Sequence, residues 1–434
     1  MAAAAAGLAI AVPAWAAAGE SGRFGPVLFA VALLVASAKA GGLVAERLGQ
    51  PSVLGELLVG IGLGNVVPVL FGGEGIAFVR SEPTLFFLAE VGVLILLFDV
   101  GLESDLRALA RVGPSSLLVA LIGVVVPVAL GWGASAWLSP SSPVLVHVFV
   151  GATLAATSVG ITARVLKDLG ATQTREGQTI VGAAIVDDVL GLVLLAVVAG
   201  AVSSAAGEGP ALSAGRIGLI VLQAALFLVA AAVAGHFLSG PIVSLTARLQ
   251  RPEMMLVVGL GLCFTLAFAA ELVGLAAIVG AFAAGLLLDP YGRGVRTRAE
   301  AATLAELLHP LSTLFVPTFF VLMGIQVDLR SLAQPGAIAL GALLVVAGVL
   351  GKLACAAGVI DRRVDRLAVA FGMVPRGEVG LIFAGIGTSL TLDGQPLLSQ
   401  SVFSAVVLMV LVTTLLAPPA LRWRLGQPRG TAAG

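Results

Sequence analysis

The chain is 434 residues long, 59% hydrophobic and only 11% charged, with 24 basic residues balanced by 24 acidic ones. Soluble domains run at roughly 45–50% apolar residues, so the composition excludes a water-soluble globule, and no nucleic-acid partner is expected. A polytopic membrane protein remains. Cys263 and Cys355 sit in separate apolar runs and read as small packing residues rather than a disulfide framework or a metal cluster. His147, His236 and His309 are scattered singly, without zinc-site or catalytic spacing.

In chain order, residues 1–18 (MAAAAAGLAIAVPAWAAA) resemble a signal peptide but lack its basic start, and residues 1–25 are set apart as an N-terminal segment. A transmembrane domain follows over 26–420, then a short tail, 421–434. Apolar runs long enough to cross a bilayer occur thirteen times: 26–46, 53–71, 84–102, 114–138, 144–166, 177–203, 217–239, 254–270, 272–289, 306–326, 334–359, 367–391 and 398–420. Seventeen Lys and Arg residues fall in the tail and in loops after odd-numbered spans; Arg80, Arg216 and Arg330 are the three in loops after even-numbered ones. Cytoplasmic loops carry the basic excess, so the N-terminus is expected outside and the C-terminus inside. Lys39, Lys352 and Arg376 lie within spans, and Lys39 is close enough to the end of the first to snorkel.

The chain repeats itself. GLESDLRALA (101–110) matches GIQVDLRSLA (324–333) at six of ten positions, and VLGELLVGIGL (53–63) resembles IVGAFAAGLLL (278–288), aligning Gly55 with Gly280 and Gly60 with Gly285. Both pairs lie seven spans apart, an odd number, so equivalent helices cross in opposite directions. Such inverted repeats, read as about 53–203 and 272–420, typify secondary transporters whose sites lie at mid-membrane beside interrupted helices. Two interruptions are expected. One is LAATSVGITARV (154–165), where Thr157, Ser158 and Gly160 weaken an apolar helix; the other is GMVPRGEVGLI (372–382), where Pro375 and Gly377 bracket Arg376 and precede Glu378.

Charges inside a bilayer are expensive unless paired or hydrated, and mark ion or proton paths. Here they are Glu56, Glu90, Asp187, Asp188, Lys352, Arg376 and Glu378, with Glu271 near a span end. Adjacent residues on a helix point about 100° apart, so Asp187 and Asp188, in AAIVDDVLGL (183–192), cannot both face one partner. One is expected to meet a counter-charge, for which Lys352 is the natural choice, and the other an aqueous cavity. The cavity-facing carboxylate can take a proton or an alkali cation, with hydroxyl and carbonyl oxygens of an interrupted helix completing a hard-oxygen shell. Mutually exclusive occupancy is the minimum machinery of exchange. A GxxxxGK[ST] phosphate loop is absent from the sequence. Glu56 and Glu90 are expected to be internally hydrogen-bonded.

QPSVLGELLVGIGLG (50–64), LAEVGVLILLFDVGLESDL (88–106), VDDVLGL (186–192), FVPTFFVLMGIQVDL (315–329) and PRGEVGLI (375–382) together resemble the sodium/hydrogen exchanger domain of the cation:proton antiporter 2 family, over about residues 26–420. The resemblance implies an all-α fold of about thirteen spans with two crossed, discontinuous helices, a dimerisation domain and a mobile core. It implies a sodium ion and protons bound at Asp188, Asp187 paired with Lys352, Glu378 near the site, and elevator-like, electrogenic exchange by a homodimer in the cytoplasmic membrane, without a cofactor. Potassium-efflux relatives usually lack the paired aspartates and carry a cytoplasmic nucleotide-binding domain, so nucleotide regulation in cis is not expected. Potassium/proton exchange in the same architecture stays open. A passive channel fits the inverted duplication poorly, and a membrane sensor would be expected to carry an output domain.

Overall fold

A computed structural model of the protein describes residues 24–71, 74–103, 113–158, 161–162, 165–166, 169–203, 252–273, 275–288, 298–333, 335–392 and 394–425, with short pieces between 205 and 234. The signal-like segment, most of the seventh span and several of the basic loop residues lie outside them. The helices are α1 (Phe24–Arg47), α2 (Ser52–Phe71), α3 (Glu74–Ser81), α4 (Pro83–Glu103), α5 (Pro114–Leu138), α6 (Val144–Thr153), α7 (Arg175–Ser203), α8 (Pro252–Leu272), α9 (Ala277–Leu287), α10 (Arg298–Gln326), α11 (Leu329–Leu332), α12 (Pro335–Leu353), α13 (Arg366–Gly372), α14 (Gly377–Ser389) and α15 (Gln400–Leu425). A 3₁₀ turn, Ala354–Gly358, prolongs α12, and a two-stranded ribbon, Thr391–Leu392 with Gln395–Pro396, turns the chain at Gly394.

Nine helices among the described residues are long and apolar enough to cross a bilayer: α1, α2, α4, α5, α7, α8, α10, α12 and α15. Of the thirteen expected spans, the fifth and twelfth are interrupted, the ninth is the short α9, and the seventh falls mostly outside the described residues. The ninth is shorter than expected because α8 runs on to Leu272, leaving its first residues to a turn. The helix α3 lies where the sequence suggested only a loop.

The chain forms two compact units. The first comprises residues up to Arg107, Val193–Arg330 and Leu390–Gln395; the second Ala108–Leu192, Ser331–Ser389 and Pro396–Gly434. Spans one to three and eight to ten fall in the first, and four, five, eleven and thirteen with most of twelve in the second, while span six is divided after Leu192, so each unit draws on both matching stretches of sequence.

Within the first unit the internal match has a physical counterpart. A methyl group on Gly60 of α2 would lie 2.9 Å from the Cα of Gly324 on α10, and one on Gly101 of α4 would lie 3.0 Å from the Cα of Gly285 on α9. The alignment equates Gly60 with Gly285 and Gly101 with Gly324, so the duplication exchanges one glycine contact for the other. Without side chains at these crossings the helix backbones approach closely, which supplies the packing attraction that drives helix association in lipid. A second device secures the ends of α2 and α10. Pro68 has no N–H to offer the Gly64 carbonyl, and Arg80 of α3 supplies one from Nη2 at 3.0 Å while its Nε donates to Ile325 O at 3.0 Å. Asn65 adds a bond to Val327 O at 2.8 Å.

In the second unit, α7 begins at a threonine cap, Thr174 Oγ1 accepting the Gly177 N–H at 3.1 Å. The Asp365 carboxylate caps α13 by accepting from Leu367 and Ala368, and pairs with Arg424 of α15 at 2.8 Å. Buried Glu176 of α7 accepts the Asp365 N–H at 3.0 Å, tying α13 to α7. The side chains of Val119, Ala120, Ile180, Ala183, Ala184, Val369 and Met373 pack into an apolar cluster between these helices.

Replacing Gly60 or Gly285 by Ala is expected to lower the melting temperature in detergent, at a cost of about 1–3 kcal/mol as backbones are forced apart. Gly62→Ala, where a methyl group meets open space, is expected to leave it unchanged; equal melting of all three variants would contradict the close-approach account.

Candidate functional site

The two interruptions face each other inside the second unit. α6 stops at Thr153, residues 156–158 are non-helical, and helix resumes at 161–162 and 165–166; α13 stops at Gly372, residues 374–376 are non-helical, and α14 starts at Gly377. A broken helix in a bilayer exposes backbone donors and acceptors to a medium without water, so they must be satisfied by protein. Here each break satisfies the other. Ser158 N donates to Pro375 O at 2.8 Å, Thr162 Oγ1 to Gly372 O at 2.7 Å, and Thr157 Oγ1 to Met373 O at 3.3 Å. Gly377 completes the crossing with a φ of +44°, a conformation that disfavours L side chains. A methyl group there would also lie 2.5 Å from Ser158 Cβ. Its N–H is received by Thr414 Oγ1 of α15 at 3.2 Å, which caps α14.

Arg376 is fully buried and makes no ion pair among the described residues. Its Nη1 donates to Ala156 O at 3.1 Å and its Nη2 to Gly348 O of α12 at 3.0 Å, so the guanidinium fastens the first break to α12. Its Nε is a buried donor without a partner among the described residues. The side chain of Glu378, two residues on, lies outside them.

One turn after Gly348 on α12 stands Lys352. Its Nζ lies 3.1 Å from Asp187 Oδ1 and 3.3 Å from Oδ2, and neither side chain has any exposure. Removing two charges from water costs several kcal/mol each, and a pair so placed persists because each ion is the other's solvation. Asp188, adjacent on α7, is half-buried, as the roughly 100° turn between neighbours requires. One turn further along α7, Gly191 brings the helix to within 3.9 Å of the Ala156 side chain, measured from the Cβ a substitution would add. The first interruption thus lies beside α7, one helical turn from the aspartate pair.

Two crossed, interrupted helices beside a paired aspartate and lysine narrow the identity, and comparison with known proteins decides it. Residues 30–425 match the family described as sodium/hydrogen exchanger, transmembrane. The chain belongs to the sodium/hydrogen exchanger family. The High-affinity Na(+)/H(+) antiporter NhaS3 of Synechocystis is 35% identical, the match covering 91% of this chain and 89% of that one. The Na(+)/H(+)-K(+) antiporter GerN of Bacillus cereus is 34% identical, with 92% and 96% covered. The solved structure of the sodium proton antiporter MjNhaP1 from Methanocaldococcus jannaschii has a TM-score of 0.70 over 92% of this chain and 96% of its own, at 18% identity, and so shares the fold.

For this member of the sodium/hydrogen exchanger family, the remaining membrane charges divide clearly. Glu56 is buried on α2, backed by Gly42, where a methyl group would lie 3.3 Å from its Oε1. Glu90 was expected to be buried and hydrogen-bonded but is exposed, one turn from Phe87, itself 63% exposed. Because α4 is apolar on every side, its sequence gave no sign of which face turns outward. Lys39 is exposed, in keeping with a snorkelling side chain. Thr162 and Thr414 were missed. Thr162 follows Ser158 by one turn in the same interrupted stretch and was legible; Thr414 is one of two adjacent threonines in an apolar span, a weaker signal.

Gly377→Ala is expected to lower the melting temperature, and Ser158→Gly in the same chain to recover the steric part, leaving about 1–2 kcal/mol of left-handed backbone strain. A double variant no more stable than Gly377→Ala alone would contradict the packing of Ser158 against Gly377.

Proposed function

We propose that this chain is a secondary antiporter that exchanges sodium for protons across the cytoplasmic membrane, with Asp188 as the carboxylate that takes either ion. The buried Asp187–Lys352 pair beside a half-buried Asp188 is the observation that carries the reading: next to a carboxylate already neutralised by lysine, α7 offers a second one that a monovalent cation or a proton can occupy. Thr157, Ser158 and the carbonyls of the first interruption offer hard oxygens nearby, since a hydroxyl that donates its proton keeps lone pairs for a cation. Glu378 is assigned to the same site and Arg376 to its scaffold.

Charge arithmetic separates two modes. If Lys352 stays protonated throughout, the sodium-loaded and proton-loaded sites are both neutral and exchange is one for one. If sodium draws Asp187 into its shell and Lys352 gives up its proton, the sodium-loaded site carries one negative charge and exchange is electrogenic. We assign the second mode, because an ammonium stripped of its counter-ion in a dry compartment is the less stable species. The second unit, which holds every residue of this site, is proposed to carry it across in an elevator-like motion, with the N-terminus outside, the C-terminus in the cytoplasm and the protein working as a homodimer. The inverted repeats are proposed to span 53–203 and 272–420. GerN, by its name, also handles potassium, so potassium/proton exchange is the second reading.

The test uses purified protein in sealed liposomes, recording proton movement on addition of sodium, lithium or potassium with and without a clamped membrane potential. Sodium-driven, voltage-dependent flux that vanishes in a folded Asp188→Asn variant is expected. Full exchange by that variant would sink the assignment of Asp188, and flux with potassium alone would favour the second reading. Asp187→Asn, which orphans Lys352, is expected to cost about 3–5 kcal/mol of stability, and Lys352→Met in the same chain to return much of it; unchanged melting of Asp187→Asn would contradict the pair's role.

A further inference from the structure

α5 meets the ion-pair compartment at a glycine. A methyl group on Gly123 would lie 3.0 Å from Cys355 Sγ, 3.3 Å from Lys352 Nζ and 3.6 Å from Asp187 Oδ1. The bare glycine Cα is therefore the surface on which the pair rests. The thiol fills the gap beside it: Cys355 is fully buried, and its Sγ–H donates to Val119 O on the same face of α5, one turn earlier, at 3.4 Å. The neighbouring contacts run the same seam. A methyl group on Gly358 would lie 2.6 Å from Val119 N, and one on Gly351 would lie 2.8 Å from Pro127 Cα. Val119, Gly123 and Pro127 are thus met in turn by Gly358, by Cys355 with Lys352, and by Gly351. Pro127 has no N–H for the Gly123 carbonyl, so the α5 ladder is interrupted at the residue that faces the ion pair.

We propose that Gly123 and Cys355 are positioning residues for the exchange: together they size the compartment that holds Lys352 against Asp187 and set how far the ammonium can withdraw when the pair opens. Among the described residues, the groups placed around Lys352 come from several elements: α7 brings Asp187, with Asp188 beside it; the second interruption brings Arg376, which binds Gly348 one turn away on α12; the 3₁₀ turn brings Cys355; α15 brings apolar Met409 against Gly348; and α5 brings Gly123. A protein interior is packed too closely to absorb an added methyl group without displacement. At Gly123 the atoms that must yield are the ammonium and the thiol, and not an inert neighbour.

The proposal rests on the coupling role assigned above to the Asp187–Lys352 pair, and its test keeps the two apart. Sodium-driven proton flux in sealed liposomes is measured against pH for wild type, Lys352→Met, Gly123→Ala, Cys355→Leu, the Gly123→Ala/Cys355→Ala double variant, and Gly133→Ala as a control whose methyl group meets open space on α5. Gly123→Ala and Cys355→Leu, each crowding the compartment from one side, are expected to move the pH of half-maximal flux toward acid by roughly half a unit or more, as contact with Asp187 weakens. The double variant, which returns the thiol's volume, is expected to restore the wild-type profile, and Gly133→Ala to keep it. If Gly123→Ala does not fold, the double variant decides: a folded protein with the wild-type profile supports the proposal, and one that is unfolded or shifted overturns it. An unshifted, folded Gly123→Ala also overturns it, provided Lys352→Met shifts. A Lys352→Met profile identical to wild type would instead remove the coupling role of the pair.

Discussion

The contact between Lys352 and Asp187 is the constraint on which the second unit is built. Two opposite charges without solvent exposure are tolerable only at hydrogen-bonding distance, so α7 and α12 are held in register at this level. Breaking the pair would cost several kcal/mol. Around it the protein uses neutral groups. The interrupted helices satisfy each other through backbone carbonyls and the hydroxyls of Thr157 and Thr162, and Arg376 spends its charge on two carbonyls rather than on an acid. Asp188, half-buried, is the neighbouring acid on α7.

The same economy shapes the first unit, where association depends on missing side chains. Gly60 meets Gly324 and Gly101 meets Gly285, and the internal alignment interchanges the two contacts. Arg80 supplies the donor that Pro68 denies to Gly64. Pro68 of α2 thus marks a place where a neighbour completes the ladder, and Pro127 of α5 one where the helix is interrupted beside the buried ion pair.

Much of this was legible in the sequence. Apolar run lengths located the spans, because the bilayer sets a length that composition must meet, and Gly/Pro-rich polar stretches located both interruptions. Charge balance pointed from the aspartate pair to Lys352, since a lone lysine in a span has few stable partners, and the family resemblance singled out Asp187 as the partner. Other features had no signature. Backbone carbonyls such as Ala156 O and Gly348 O are identical in every residue, so the partners of Arg376 could not be read. Glu90 was misjudged because a helix apolar on all sides conceals its orientation. Gly123 carried no signal, since a glycine in an apolar helix acquires meaning only from its neighbours.

Sodium and protons are proposed to compete for one site made of Asp188 and the adjoining pair. Calorimetric titration of sodium into the detergent-solubilised protein, in buffers of differing ionisation heat, measures this competition most directly. The expected result is proton release on sodium binding in wild type, weakening as pH falls, with no sodium binding by folded Asp188→Asn. Sodium binding without proton release, or undiminished in that variant, would contradict the account.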